Sequence, residues 1–196
     1  MMRCGFAATA AALFAAVILT ACGGKQQWQT TNITGVMPDL KFTLTDGNKQ
    51  IEHAGAYRGK IKLLYFGYTH CPDVCPLTLA TIGRALKKIG PEAKQTVVLF
   101  VSVDPKRDTP DVLKQYADAF GPQFVGLTGT QSQLKALAKR YRVSYSYDKP
   151  DAQGNYAVNH SGAVFVFDRD GKVRLLMNRT DGADEMAHDL KQLIES

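Results

Sequence analysis

Along the middle of the chain, continuous apolar runs alternate with stretches in which apolar residues recur every three or four positions. The segments IKLLYFGY and TVVLFVSV are continuous apolar runs, which are typical of strands buried on both faces of a sheet. Helical spacing follows the first run, with apolar positions at Leu79, Ile82, Leu86 and Ile89, and returns in KRDTPDVLKQYADAF and SQLKALAKRYRV. Because buried strands alternate with helices, we expect an α/β fold whose sheet contains parallel strands.

Antiparallel elements are predicted on both sides of this region. LKFTLTDG alternates apolar and polar residues up to a turn at Asp46-Gly47, which predicts a strand that enters a hairpin. SYSYDKPDAQGNYAVNH predicts a second hairpin, and AVFVFDRDGKVRLLM predicts two strands joined by a turn at Asp170-Gly171. GADEMAHDLKQLIES predicts a final helix. The expected domain is a central mixed sheet flanked by helices, with an inserted hairpin before the late core strand.

The first residues follow a different pattern. Arg3 precedes the apolar run GFAATAAALFAAVILTA, which is typical of a secretory signal peptide and is marginal in length against the ~20 residues of a membrane-spanning helix. The run ends in LTA-Cys22-GG, which resembles a bacterial lipobox, so we expect Cys22 to be lipidated; the alternative is an uncleaved membrane anchor. The expected division is a signal peptide at 1–21, a polar tether at 22–37 and a folded domain at 38–196.

Composition and net charge exclude few classes of protein function. The chain is 45% hydrophobic and 21% charged, as ordinary globular proteins are, and its net charge is +6. The basic residues are spread along the chain and are not interleaved with aromatic residues, so we expect no nucleic-acid partner. The positive charge suits an anionic membrane or an acidic partner protein, or is a merely solvated basic face.

Cys71 and Cys75 form the candidate chemical site. Cys4 would leave with the signal peptide and Cys22 would carry lipid, so these two cysteines are alone in the domain. They stand between the first buried strand and its helix, where α/β proteins bind ligands. The positive end of the helix dipole favours thiolates, and the four-residue offset lets both sulfurs share a metal ion or close a disulfide. We expect both thiols to be accessible to solvent.

The histidines offer a third ligand. Two cysteines exclude a zinc site of four thiolates, and no Cys-x-x-Cys-His motif for haem attachment is present, so the remaining soft-metal option is two thiolates and a histidine. His160 precedes a core strand, and such a histidine taken alone is more often structural than a ligand. His70 adjoins Cys71 and either tunes its thiolate or faces solvent; His53 and His188 are expected on the surface.

Charged residues follow the second buried strand, and one lies between the two cysteines. We expect Asp104, Arg107 and Asp108 to fix the helix that follows them rather than to bind metal. For Asp73, between the cysteines, two roles are equally open: it contacts a partner, or it is simply solvated.

Four segments, in this order, carry a family resemblance: YFGYTHCPDVCP, VSVDPKRDTPDVL, FVGLTG and NHSGAVFVFDRDGKV. They closely resemble the Sco/SenC family of copper-binding cytochrome oxidase assembly proteins, over roughly residues 38–195. The resemblance implies a thioredoxin-like fold on a membrane tether, and copper bound by two cysteines and a distant histidine, which fall on Cys71, Cys75 and His160. The family commonly has Asp before this histidine, where this chain has Asn159, so a carboxylate role next to the ligand is in doubt.

The resemblance also implies a function. It implies a copper metallochaperone that delivers copper to, or prepares the thiols of, the dinuclear copper centre of a haem–copper oxidase. The lipobox-like segment at Cys22 predicts that this protein lies on the periplasmic face of a bacterial cell envelope, held by a lipid anchor. Its partners would be a copper-accepting oxidase subunit or other copper chaperones. Thiolates suit copper(I) and an added imidazole suits copper(II), although zinc accepts the same ligands. The alternatives are a thiol–disulfide oxidoreductase that reduces partner cysteines, and a redox or copper sensor. The histidine favours metal binding over catalysis, because a dithiol exchanger needs no histidine.

Overall fold

The computed structural model describes residues 27–196, and every structural statement below concerns that part of the chain. The proposed signal peptide, Cys4 and the lipidation site at Cys22 lie outside the described residues. Within 27–196, no helix has the length and apolar character needed to cross a membrane.

The strands and helices follow the order that the sequence pattern predicts. The strands are β1 (Thr31–Asn32), β2 (Thr43–Asp46), β3 (Ile51–His53), β4 (Ile61–Gly67), β5 (Thr96–Ser102), β6 (Phe124–Thr128), β7 (Tyr145–Tyr147), β8 (Val158–His160), β9 (Val164–Phe167) and β10 (Val173–Met177). The α-helices are α1 (Val74–Ile89), α2 (Pro110–Asp118), α3 (Gln131–Arg140) and α4 (Ala183–Glu195), and two 3-10 helices cover Ala54–Tyr57 and Gly90–Gln95.

The central sheet is mixed, with the strand order β1-β10-β9-β4-β5-β6-β2-β3. β4, β5 and β6 are parallel, whereas β9 lies antiparallel on the other side of β4. β7 and β8 form a separate antiparallel hairpin before β9. The mixed sheet with helices and an inserted hairpin confirms the expected architecture, and every residue of β4 and β5 is buried, as their continuous apolar runs predict.

The helix ends are close to those expected. α1 buries Leu79, Ile82 and Leu86, but it begins at Val74, before Pro76, so Cys75 lies in its first turn. Thr109 caps α2, and its side chain accepts a hydrogen bond from the backbone N–H of Val112.

The packed part of the chain begins earlier than the expected domain boundary at residue 38. Thr31–Asn32 pairs with β10, although the sequence analysis assigns this segment to the polar tether. The buried carboxylate of Asp189 on α4 accepts hydrogen bonds from the backbone N–H groups of Gln29 and Thr30. A two-residue exposed strand has no hydrophobic period, so its long-range pairing with β10 fixes it, next to the hydrogen bonds that Asp189 makes with the preceding residues.

Candidate metal centre

Two sulfur atoms and one ring nitrogen converge beyond the carboxyl end of β4. Cys71 lies in the loop after β4, Cys75 in the first turn of α1, and His160 at the end of β8. Their candidate ligand atoms all lie within 4.8 Å of one another, and no second group of three or more such residues occurs in the described part of the chain. The Sγ of Cys75 is 3.3 Å from Nε2 of His160, and the backbone N–H of Cys75 points at the Sγ of Cys71 over 3.4 Å.

Gly67, the last residue of β4, leaves the space that Cys75 occupies. A Cβ at Gly67 would lie 2.8 Å from the Sγ of Cys75 and 2.6 Å from the ring of Phe100. Both distances are shorter than van der Waals contact, so no side chain fits there without displacing the sulfur or the ring. This close packing seats Cys75 against the end of the sheet.

The two thiols differ in their surroundings. Cys75 is fully buried and Cys71 is half-buried, so the expectation that both are accessible to solvent is wrong for Cys75. Burial raises the pKa of the Cys75 thiol to about 12, because a buried thiolate loses its hydration. For Cys75 this effect outweighs the expected stabilisation of the thiolate at the start of the helix.

His160 is held in the form that binds metals. Its Nδ1 is 3.0 Å from the carbonyl oxygen of Ser161, so the Nδ1–H donates there and the lone pair of Nε2 faces Cys75. Burial lowers the pKa of His160, which favours the neutral imidazole. The rings of Tyr65 and Tyr68 meet the imidazole edge-on, with centroids 6.1 Å and 5.9 Å away.

Asn159 stands where the family commonly has Asp, and its side chain points toward Asp148. Its Nδ2 donates a 2.8 Å hydrogen bond to the carboxylate of Asp148 across the β7–β8 hairpin. Neighbouring side chains of a strand point to opposite faces, so Asn159 and His160 diverge. In this chain a backbone carbonyl, rather than a carboxylate of residue 159, orients the imidazole.

The other histidines lie outside the group. His70 is exposed, and its Nδ1 is 3.1 Å from the hydroxyl of Thr69 and 3.5 Å from the carboxylate of Asp108. His53 and His188 are exposed, as expected. Asp73 is exposed and precedes α1 without a side-chain cap, which leaves both of its expected roles open.

The β5–α2 loop supports the dithiol loop, a role that the sequence analysis missed. The buried carboxylate of Asp108 accepts hydrogen bonds from the backbone N–H and the hydroxyl of Thr69, at 2.8 Å and 2.6 Å. It also accepts one from the hydroxyl of Ser102 at the end of β5. Thr69 is two residues before Cys71, so Asp108 ties the dithiol loop to the sheet.

The same loop holds the hairpin that carries His160. The carboxylate of Asp104 accepts a 2.8 Å hydrogen bond from the hydroxyl of Tyr156, and the guanidinium of Arg107 lies 3.6 Å from the centre of that ring. We expected Asp104, Arg107 and Asp108 to fix the following helix, but Thr109 caps it and these three join the loops on either side of the site. The available signal was the charge cluster DPKRD directly after a buried strand.

Comparisons with known proteins agree with this arrangement. A family model described as SCO1/SenC matches residues 34–195. An SCO2-like protein of Rickettsia prowazekii is 37% identical over 132 residues, which cover 67% of this chain and 64% of that protein, so the match spans just under two thirds of the relative.

Two copper-bound structures are similar to this one. ScoI of Bradyrhizobium japonicum has 37% identity and a TM-score of 0.72, with 79% of this chain and 98% of that chain covered. Yeast Sco1 has 30% identity and a TM-score of 0.74, with 82% and 90% covered. Because the family model spans most of the chain and the fold matches these structures, the chain belongs to the SCO1/SenC family and has its thioredoxin-like fold.

Proposed function

We propose that this chain is a membrane-tethered copper metallochaperone that assists assembly of the copper centre of a haem–copper oxidase. Copper is its cargo, held by the sulfurs of Cys71 and Cys75 and by Nε2 of His160. The observation that carries the proposal is the convergence of these three atoms within 4.8 Å in a fold whose relatives have been solved with copper bound.

The donor set suits both copper states. Thiolates are soft ligands that favour copper(I), and the neutral imidazole provides the nitrogen that copper(II) prefers. Copper must displace the thiol proton of Cys75, whose pKa is raised, so loading releases protons. Half-buried Cys71 is the ligand that an acceptor reaches first, while buried Cys75 holds the ion until exchange is complete.

The proposal places the domain on the periplasmic face of a bacterial cell envelope. Residues 1–21 act as the signal peptide, Cys22 carries the lipid, and the segment 22–37 leads to the domain at 38–196. Gln29 and Thr30 are bound to Asp189, so this part of the tether packs against the domain. The partners are a copper-accepting oxidase subunit or another copper chaperone.

A thiol–disulfide oxidoreductase is the second candidate. Both cysteines are free, and their sulfurs lie within 4.8 Å of each other, one in the loop after β4 and one in the first turn of α1. A modest shift of the loop that carries Cys71 would bring them to the ~2.05 Å of a disulfide. In this alternative, the more accessible Cys71 attacks a partner disulfide and Cys75 resolves the mixed disulfide.

One experiment separates the two functions. The copper(I)-loaded protein is mixed with a reduced, copper-free oxidase subunit. After transfer, a one-electron oxidant such as ferricyanide is added, because copper(I) alone does not absorb visible light, and the absorption spectrum of the oxidised dinuclear copper centre is recorded. We expect the spectrum to form with the copper-loaded protein and not with the Cys71→Ser or Cys75→Ser variant treated in the same way, because each variant lacks one of the two thiolates. If the copper-loaded protein transfers no copper, and metal-free protein instead reduces an oxidised subunit, the chaperone proposal is wrong and the reductase is favoured.

A further inference from the structure

A basic cavity lies at the end of the sheet opposite the dithiol. It has a volume of about 330 Å³ and lies between the start of β2, the 3-10 helix Ala54–Tyr57 and the β9–β10 turn. Lys62, near the start of β4, lines it, whereas Gly67 at the other end of that strand contacts Cys75. At ~3.3 Å per strand residue, the two sites are separated by roughly 17 Å.

The charges that line the cavity are mostly positive. Lys41, Arg58 and Lys62 contribute cations, and His53 adds an imidazole. Asp170 is the one acidic residue among the lining residues. An anion in this cavity would therefore meet three cations and one carboxylate.

None of these cations forms an ion pair with another residue of 27–196, although the carboxylates of Asp168 and Asp170 lie near Lys62. Lys62 is only 2% exposed, and its Nζ donates to two carbonyl oxygens, those of Asp168 at 2.8 Å and Arg169 at 2.7 Å. The ammonium of Lys62 donates hydrogen bonds only to neutral groups. Burial lowers the pKa of Lys62, and the nearby carboxylates of Asp168 and Asp170 offset this only in part. A bound anion would offset the remaining cost of burying this charge.

The start of the described chain lies at the same end of the domain. The carbonyl oxygen of Gln27 accepts a 3.1 Å hydrogen bond from Gln192 in the last turn of α4. Arg169 of the β9–β10 turn donates to the carbonyl oxygens of Leu193 and Ile194 in that same turn. The β9–β10 turn also lines the cavity, so Gln27 and the turn that lines the cavity both contact the last turn of α4.

We propose that this cavity binds the phosphate group of an anionic phospholipid headgroup and so holds the domain with its dithiol directed away from the membrane. Arg and Lys side chains are the usual partners of phosphate oxygens, and Arg58 supplies a fork that matches two of them. The inference rests on the membrane tether of the proposed function, but not on copper binding.

The test uses the isotopically labelled full chain in nanodiscs of phosphatidylcholine, with or without phosphatidylglycerol. The amide signals of Gly55 and Gly171, which line the cavity, are followed by NMR. We expect them to shift as the fraction of phosphatidylglycerol rises, and inorganic phosphate to cause the same shifts only at much higher concentration. Equal responses to both would assign the cavity to free anions, and no response to either would remove the site; each result overturns the proposal.

A charge-matched pair of variants separates the cavity from general attraction to the membrane. Lys41→Gln/Arg58→Gln should weaken the response to phosphatidylglycerol about thirtyfold, since each basic residue near an anionic surface contributes roughly fivefold. Arg84→Gln/Lys87→Gln removes the same charge from exposed positions of α1 and should change the response to phosphatidylglycerol little. Equal losses in both variants would show unspecific attraction and overturn the proposal. Lys62→Met changes a buried residue, so its response to phosphatidylglycerol is compared only after thermal unfolding has shown that the variant has a native fold.

Orientation and copper binding are read out separately. A paramagnetic lipid headgroup should broaden the signal of Gly171 more than that of Gly162, where an added Cβ would lie 3.8 Å from Val74 at the start of α1. The reverse pattern would contradict the proposed orientation. Copper affinity should be the same in Lys41→Gln/Arg58→Gln and in the unmodified chain. An unmodified chain that binds no copper would refute the proposed function and leave the lipid site unaffected. Absence of acylation at Cys22 would refute the lipid anchor without removing the lipid-dependent shifts.

Discussion

Gly67→Ala places a methyl group between the sulfur of Cys75 and the ring of Phe100. The added carbon would lie 2.8 Å from the sulfur and 2.6 Å from the ring. To restore a separation of ~3.5 Å, the sulfur must move by about 0.7 Å or the backbone must shift by a similar amount. Every residue of β4 is buried, and the backbone of Gly67 is held by its pairing with Ser102 of β5, so the sulfur is the group with more freedom to move.

The expected costs concern stability and copper affinity. Overpacking of this kind typically lowers the free energy of unfolding by about 1–3 kcal/mol. Displacing a residue that positions a metal ligand typically costs about 10–100-fold in affinity, and we expect Gly67→Ala to weaken copper(I) binding by at least about tenfold. Chemical denaturation measures the first effect, and competition with a copper(I) chelator measures the second.

Gly83→Ala is the matched control. Gly83 lies within α1, and an added Cβ there would meet its nearest atoms at 3.8 Å and 3.9 Å, which is ordinary contact. We expect it to stabilise the protein by about 0.5–1 kcal/mol and to leave copper affinity unchanged. If Gly67→Ala and Gly83→Ala bind copper(I) equally well, Gly67 does not seat Cys75 and the account of the site is wrong.

Three further predictions follow from the described contacts. Cys71 and Cys75 should form a reversible disulfide in oxidising buffer that takes no copper(I); mass spectrometry showing full loading of the oxidised protein would contradict this. Asp108→Asn should lower the free energy of unfolding by about 1–3 kcal/mol and shift the copper(II) charge-transfer band, because the dithiol loop loses its anchor; an unshifted band would refute the anchoring role. Burial tends to raise the pKa of Asp189, but its hydrogen bonds outweigh this and hold that pKa below its ordinary range. Its contribution to stability should therefore be present above pH ~4 and be lost as the pH falls through the lowered value. Asp189→Asn should remove this part of the pH dependence, and unchanged acid unfolding curves would contradict the assignment.

The hydrophobic pattern predicts most of the fold because the central strands are buried along their whole length. The apolar runs over β4 and β5 and the helical spacing of α1 are local signals, and each corresponds to an observed element. β1 has no such signal, because a two-residue strand is defined only by its partner, β10.

The sequence predicts which residues form the candidate site, but not how deeply they are buried or which residues surround them. The family resemblance, rather than any local pattern, selects His160 over His70. The burial of Cys75 depends on Gly67 and Phe100, which meet it only after the sheet has formed. The support from the β5–α2 loop joins residues far apart in sequence, such as Asp108 and Thr69, and no local pattern reports such pairs.

The copper(II) spectrum of His160→Ala tests the central claim most directly. Two thiolates suffice for copper(I), which tolerates two ligands, whereas copper(II) prefers four ligands that include nitrogen. The account predicts a folded variant that keeps copper(I) and whose sulfur-to-copper(II) charge-transfer absorption shifts or disappears, while His70→Ala, which changes an exposed histidine outside the group, has a smaller effect. An unaltered copper(II) spectrum in His160→Ala, or its loss in His70→Ala alone, would contradict the assignment of His160 as the third ligand.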